Sequence, residues 1–148
     1  MKYLILISTA LFLITACSKE KKIERNLWKN GGQWDIVKYE EIITSTSPEN
    51  EKHETIENAG IFQFEKNGEG FMINKEEYFA EKINFKYDNT ATELTLDFYP
   101  NSYERKFELD WNKNSFILTQ NITSTYTDEN GNPLTLNTVT FRYTCKKN

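Results

Sequence analysis

From about residue 60 to the end of the chain, apolar and polar residues alternate with a period of two, and short runs of turn residues interrupt the alternation at regular spacing. Phe62 and Phe64 share one face, and Asn67-Gly68 predicts a tight hairpin into Phe71-Met72-Ile73. Asn74 to Glu77 turns the chain again. Phe79, Ile83, Phe85 and Tyr87 then alternate with Lys82, Asn84 and Lys86, and Leu94, Leu96 and Phe98 alternate with Thr95 and Asp97. Tyr103, Phe107, Leu109 and Trp111 stand against Glu104, Lys106, Glu108 and Asp110, the pattern of a strand with one buried face. Phe116, Leu118 and Ile122 follow a turn at Asn112 to Asn114. Val139, Phe141 and Tyr143 follow a hairpin predicted over Asp128 to Pro133.

The earlier part is less regular. Ile23 and Leu27 stand four apart before Asn30-Gly31-Gly32, which predicts one or two helical turns stopped by glycine. A first strand is expected over about Gln33 to Glu41, with its phase open, because Trp34 and Ile36 are apolar and so are Val37 and Tyr39. Thr44 to Asn58 is rich in Ser, Thr, Pro, Glu, Asn and Lys and predicts a long exposed loop. The total is eight strands joined by hairpins, with no helix between them to support a parallel sheet. The expected fold class is all-β: an eight-stranded antiparallel up-and-down barrel with a short N-terminal helical turn, since closure removes both sheet edges. A two-sheet sandwich is the alternative.

Gly32-Gln33-Trp34, followed by this meander, resembles the Gly-x-Trp motif of the lipocalin family, and in particular the lipocalin-like lipoproteins of bacteria. The resemblance implies that the N-terminal turn plugs one end of the barrel and that the loop over 44–58 lies as a lid at the open end. It also implies that the first-strand tryptophan is covered by an arginine from the end of the last strand. Gly32, Trp34 and Arg142 are the residues at those structural places; the competing reading is that Arg142, between Phe141 and Tyr143 in an alternating strand, points to water. The family's second motif has no counterpart that can be placed.

Met1-Lys2-Tyr3 and the apolar run from Leu4 to Ala16 read as a secretory signal, too short to remain as a membrane span. Ile14-Thr15-Ala16-Cys17 resembles the lipobox of bacterial lipoproteins, in which cleavage before the cysteine leaves it as the lipidated N-terminus. The expected organisation is a signal peptide over 1–16, a lipidated tether over 17–22 anchored at Cys17, and a single barrel domain over 23–148. The expected address is the bacterial cell envelope, on a membrane surface, the outer membrane or cell surface before the inner membrane. Without Lys2 the chain keeps 17 basic residues against 22 acidic ones, a net charge of about −5, which argues against nucleic acid as a partner. Only Cys145 remains besides Cys17, so no disulfide forms within the domain.

Candidate chemistry is sparse. His53 is the only histidine and stands between Lys52 and Glu54, with no positioned partner indicated. One His and one free Cys do not build a zinc site, and Asp128 to Asn132 has the composition of a calcium loop without its spacing, so no metal or cofactor is expected. Cys145 reads as a packed thiol at the barrel end. Arg105, between Tyr103 and Phe107, and Gln120, between Leu118 and Ile122, share the phase of apolar neighbours. A guanidinium placed inward is costly unless paired. Either it meets the anionic head of a ligand, with Gln120, Tyr103 and Phe107 beside it, or a bulge turns it out, or a protein carboxylate pairs with it.

No nucleophile, base or metal constellation can be assembled, so an enzyme is not expected. The leading expectation is a non-enzymatic module that binds a small, partly apolar ligand in the barrel cup. The alternative is a barrel filled by its own aromatics that acts through its surface as an interaction or inhibitor module. The free volume of the core separates the two.

Overall fold

The computed structural model describes residues 19–75, 81–100, 103–127 and 133–148. The segment over 1–16 expected as a signal peptide, Cys17, Phe79 and the residues from Asp128 to Asn132 expected as a hairpin lie outside the described residues. A helix, α1, spans residues 19–28, so the charged run from Lys19 to Lys22, expected as tether, is helical. Eight strands follow: β1 (Gln33–Ser45), β2 (Lys52–Phe64), β3 (Glu69–Asn74), β4 (Lys82–Asn89), β5 (Glu93–Tyr99), β6 (Tyr103–Asn112), β7 (Ser115–Thr127) and β8 (Pro133–Lys147). They form a closed antiparallel barrel in sequence order, with β8 pairing back onto β1. The up-and-down barrel is therefore the architecture, and the sandwich alternative falls.

Asn30, Gly31 and Gly32 all take left-handed backbone angles, with φ of 57°, 88° and 70°, and these swing the chain from α1 into β1. Ile23 and Leu27 are fully buried and turn the helix into a plug at the base of the barrel. Trp34 Nε1 donates to the Leu27 carbonyl at 2.9 Å, and Lys147 Nζ donates to the Asn26 carbonyl at 2.7 Å, so both ends of the sheet hold the last turn of the plug.

Above the plug the interior is occupied by a ladder of rings in offset and edge contact. Trp34 meets Phe116 at 4.8 Å and Trp111 at 5.5 Å between centroids. Phe64 meets Phe85 at 5.5 Å, and Phe62 and Phe107 meet Tyr143 at 5.7 Å and 5.9 Å. Trp34, Phe62, Phe64, Phe85, Phe107 and Phe116 are each at most 2% exposed. Such contacts add about 0.5–1.5 kcal/mol per pair to the burial of the rings themselves, and together the rings occupy the lower barrel.

Two expectations about the first hairpin are corrected. β1 runs to Ser45 instead of ending near Glu41, and β2 begins at Lys52, so the exposed loop over 44–58 reduces to a short connection with a 3-10 turn at Pro48–Asn50. The sequence misled because the outer part of β2 is polar on both faces: Lys52 to Thr55 are all exposed, and backbone pairing with β1 holds them extended. The ambiguous phase of β1 is explained by a register shift between Ile36 and Lys38. Val37 is the extra residue, so Trp34 and Ile36 face inward before it and Tyr39 and Glu41 after it.

Candidate functional site

β1, β2, β7 and β8 outrun the other strands. β2 is registered with β3 only from Gly60 to Phe64, and β6 with β7 only over Glu108↔Thr119 to Asn112↔Ser115. The β1–β8 pairing nevertheless continues to Ser45↔Asn137 and the β7–β8 pairing to Thr127↔Pro133. A four-stranded extension therefore rises from one side of the barrel at the end opposite α1, and the rim at its foot is where inward polar groups collect.

Arg105 stays inward. Its guanidinium lies 5.5 Å from the Tyr103 ring and 5.5 Å from the Phe141 ring, and among the described residues it forms no ion pair. Neither the bulge nor the protein carboxylate considered from sequence is found. Gln120 bridges the place where β7 leaves β6: its Nε2 donates to the Lys106 carbonyl at 3.3 Å, while its Oε1 is buried and, among the described residues, has no partner. The Asn137 Oδ1 atom, further out on the extension, is likewise buried with no partner among the described residues. Tyr103 is 41% exposed and stacks on Phe98 at 4.9 Å. Phe107 is corrected: at 2% exposure it is a core ring wedged against Tyr143, too deep to line the rim.

Beside this group the rim holds a recess of about 240 Å³ lined by Tyr39, Glu41, Glu54, Ile56, Met72 and Tyr143 among others. Tyr39 donates to Glu41 Oε2 at 3.3 Å. Burial first, then Tyr143 and Glu41, raise the Tyr39 phenol far above its ordinary pKa, and Arg105 acts in the opposite sense. Burial also raises the Tyr143 phenol. Both rings therefore present neutral hydroxyls to the mouth at physiological pH. Sequence reasoning missed this set because the bulge at Val37 hides that Tyr39 and Glu41 turn inward; the only signal was the apolar pair Val37 and Tyr39 sitting out of phase with Trp34.

Elsewhere the chemistry is structural. Cys145 is fully buried and its thiol pKa is pushed well up by that burial, which leaves no thiolate to react. His53 is on β2, 3.5 Å from Glu40 on the outside of the barrel. Glu40 also meets Lys38 at 2.9 Å and Arg142 at 3.7 Å. Arg142 is thus corrected as the cover of Trp34. Glu40↔Arg142 is a cross-strand pair on the outer face, and Trp34 is instead paired with Lys147, whose Nζ lies 4.7 Å from the Trp34 ring. Among the described residues no group of three or more His, Cys, Asp or Glu side chains converges.

The class defined by this geometry is a small closed β-barrel with a helical plug at its base, a filled interior, and a one-sided sheet extension above a polar and aromatic rim. No known protein family and no curated protein matches the chain.

Proposed function

We propose that this protein is a lipid-anchored, non-enzymatic module of a bacterial cell envelope, built on a lipocalin-like barrel, that recognises a protein partner with its open end. The observation that carries the reading is the contrast between the two ends. The interior is packed with the chain's own rings, and the exposed large hydrophobic residues among those described (Tyr99, Tyr103, Ile122 and Leu136, at 38–45% exposure) all lie on the rim or the extension. Apolar exposure confined to one end is what an interaction surface requires. Glu20 is held at the base through its carbonyl, which accepts from Asn89 Nδ2 at 3.3 Å. A tether at Cys17 therefore places the rim on the side away from the bilayer, where a partner can reach it. The Gly-x-Trp motif, the closed meander and the cation over Trp34 support the lipocalin-like part of the proposal.

The test places a photo-cross-linking residue in living cells at Tyr103 or Leu136 on the open end, and at Lys86 on the barrel wall or Lys113 at the base. A discrete protein adduct is expected from the first two positions and none from the others. Equal labelling from all four, or none from the open end, refutes the reading. The anchor is tested separately by Cys17→Ser, which should move the protein from the membrane to the soluble fraction or leave it unprocessed; a variant that sediments like the wild type ends the lipoprotein proposal.

A second reading, a small partly apolar ligand held at the rim, is favoured by the recess of about 240 Å³. A neighbouring recess beside Phe98, Tyr99 and Tyr103 holds about 300 Å³, so both stand at or below the lower end of the span of about 300–1,000 Å³ usual for small-molecule sites, which is why this reading ranks second. Native mass spectrometry of gently purified protein would reveal a bound small molecule.

A further inference from the structure

β7 has no neighbour on one side over its outer part. After Glu108↔Thr119 it parts from β6 and continues to Thr127 paired with β8 alone, among the described residues. That is about 27 Å of open backbone at about 3.4 Å per residue. Natural edge strands are ordinarily guarded by charge, proline or a bulge. The opposite edge of the same extension is so guarded, with Lys52, His53, Glu54 and Glu57 along it and Asn58 at a φ of 55°. The β7 edge reads Gln120-Asn-Ile-Thr-Ser-Thr-Tyr-Thr127, without a charge or a proline, and its pairing with β8 is regular as far as Tyr126, with the one register shift at the tip, between Tyr126 and Thr127. Outer-face hydroxyls are directed across to β8 instead: Thr123 Oγ1 meets Thr138 Oγ1 at 3.1 Å, and Thr140 Oγ1 donates to Asn121 Oδ1 at 2.7 Å. They leave the edge backbone open.

The ground beside this edge is chemically specific. Ile122, 45% exposed, shares the inward face with Gln120, and across the gap stand Tyr103 and the unpaired guanidinium of Arg105 between its two rings. A strand laid on β7 directs alternate side chains to that face. One of them facing Arg105 is best a carboxylate, which gains a charge-assisted pair in a half-buried place, and its neighbours two residues away on either side are best apolar.

We infer that the free edge of β7 and Arg105 together form a docking site for an extended peptide segment that carries a carboxylate between apolar residues and adds to the sheet as a further strand. The inference rests on the reading of the open end as a protein-recognition surface, and names the partner's chemistry and mode of attachment.

The probe is a fluorescent peptide, Lys-Val-Thr-Glu-Thr-Val-Lys, titrated into the full chain in detergent micelles and followed by anisotropy. Saturable binding is expected. Replacing the peptide's Glu by Gln should weaken it at least tenfold, and so should Arg105→Gln, with an unchanged circular dichroism spectrum as the check on folding. Backbone N-methylation supplies a readout that leaves the protein untouched. Methyl groups on one alternate set of residues should abolish binding, and those on the other set should leave it within threefold, because only one set faces β7. Indifference to Arg105→Gln and to both methylation sets overturns the inference, as does no saturable binding up to millimolar peptide. A concentration-dependent dimer that the peptide does not compete away overturns it also and gives the edge to a second copy of this chain. If any of these results is found while Tyr103 and Leu136 still yield cross-linked partners, only the strand-addition mode fails; if the cross-links are absent too, the protein-recognition reading fails with it.

Discussion

Gly31 and Gly32 offer a paired experiment on what the turn before β1 demands. Both have positive φ, so alanine at either position incurs the left-handed penalty of about 1–2 kcal/mol, less a few tenths to 1 kcal/mol regained because alanine restricts the unfolded chain. Their surroundings differ. A Cβ on Gly31 would meet nothing within 4 Å, whereas on Gly32 it would sit 2.0 Å from the Phe64 carbonyl oxygen, well inside contact distance. That carbonyl cannot step aside freely, because the Phe64 amide donates to the Gly32 carbonyl at 2.9 Å and the Phe64 ring packs against Phe85 and Phe116. Relief requires loss of that hydrogen bond, about 1 kcal/mol, and a displacement of the packed layer, about 1–3 kcal/mol. Gly31→Ala should therefore cost about 1 kcal/mol and Gly32→Ala about 3–5 kcal/mol. In urea unfolding followed by tryptophan fluorescence, with a slope of about 2 kcal/mol/M, the two midpoints should differ by about 1–2 M. Equal midpoints would refute the close-approach argument and reduce the motif glycine to a matter of φ alone.

Two further predictions concern the charged groups that close the sheet. Lys147→Met keeps an aliphatic cover over Trp34 but leaves the Asn26 carbonyl without its donor. Burial and the nearby Lys29 lower the Lys147 pKa, so desolvation offsets part of the gain from the ammonium, and the net loss should be about 1 kcal/mol, or about 3–5 °C in Tm. An unchanged Tm in Lys147→Met would refute Lys147 as the residue that holds the Asn26 carbonyl and covers Trp34. Glu40 has its pKa lowered from 4.5, chiefly by its hydrogen bond to Lys38 and then, against the cost of burial, by the Lys38 charge, His53 and Arg142. Because the folded pKa lies below the unfolded one, the Glu40 contribution is fully present above about pH 4.5 and is lost as the pH falls through the folded value. Glu40→Gln should cost about 1 kcal/mol at pH 7, a modest figure since its partners are partly exposed, and chemical denaturation at pH 3 should show that difference shrinking; a pH-independent difference would show that shape and not charge is at stake.

The barrel was legible in the sequence wherever a strand has one buried face and no irregularity. Leu94, Leu96 and Phe98 on β5 and Phe107 and Leu109 on β6 are buried as their alternation predicts, because the period of two is the geometry of a pleated strand with one side dry. It failed in two places for separate reasons. At Val37 one extra residue inverts the inward phase, and no local composition marks a bulge of that kind. At the start of β2 there is no dry side at all, so Lys52 to Thr55 carry the composition of a loop while pairing with β1 supplies their order from outside the segment. The helix suffers the same blindness on a smaller scale: Lys19 to Lys22 hold no apolar residue, and what anchors them to the base is the burial of Ile23 and Leu27 further along the same helix, together with the hydrogen bond that Asn89 Nδ2 donates to the Glu20 carbonyl.

The error over Arg142 is more instructive, since the alternation of β8 already contained the answer. Tyr143 shares a parity with Cys145 and Lys147, and Arg142 has the opposite one, so if Tyr143 faces the core then Arg142 must face water and Lys147 must come in at the base. The structure follows parity: Tyr143 contacts Phe62 and Phe107, Cys145 is buried, and Lys147 covers Trp34. An argument from the kind of residue a motif uses lost to an argument from the pitch of a strand. The same parity placed Arg105 and Gln120 inward from sequence alone, and there it held, because no bulge intervenes on β6 or on the inner part of β7. What parity could not show is that β7 outruns β6. Where a strand loses its neighbour depends on the length of the neighbour, which is written in another part of the chain, and so the free edge beside Arg105 became visible only once Tyr103–Asn112 and Ser115–Thr127 were laid side by side.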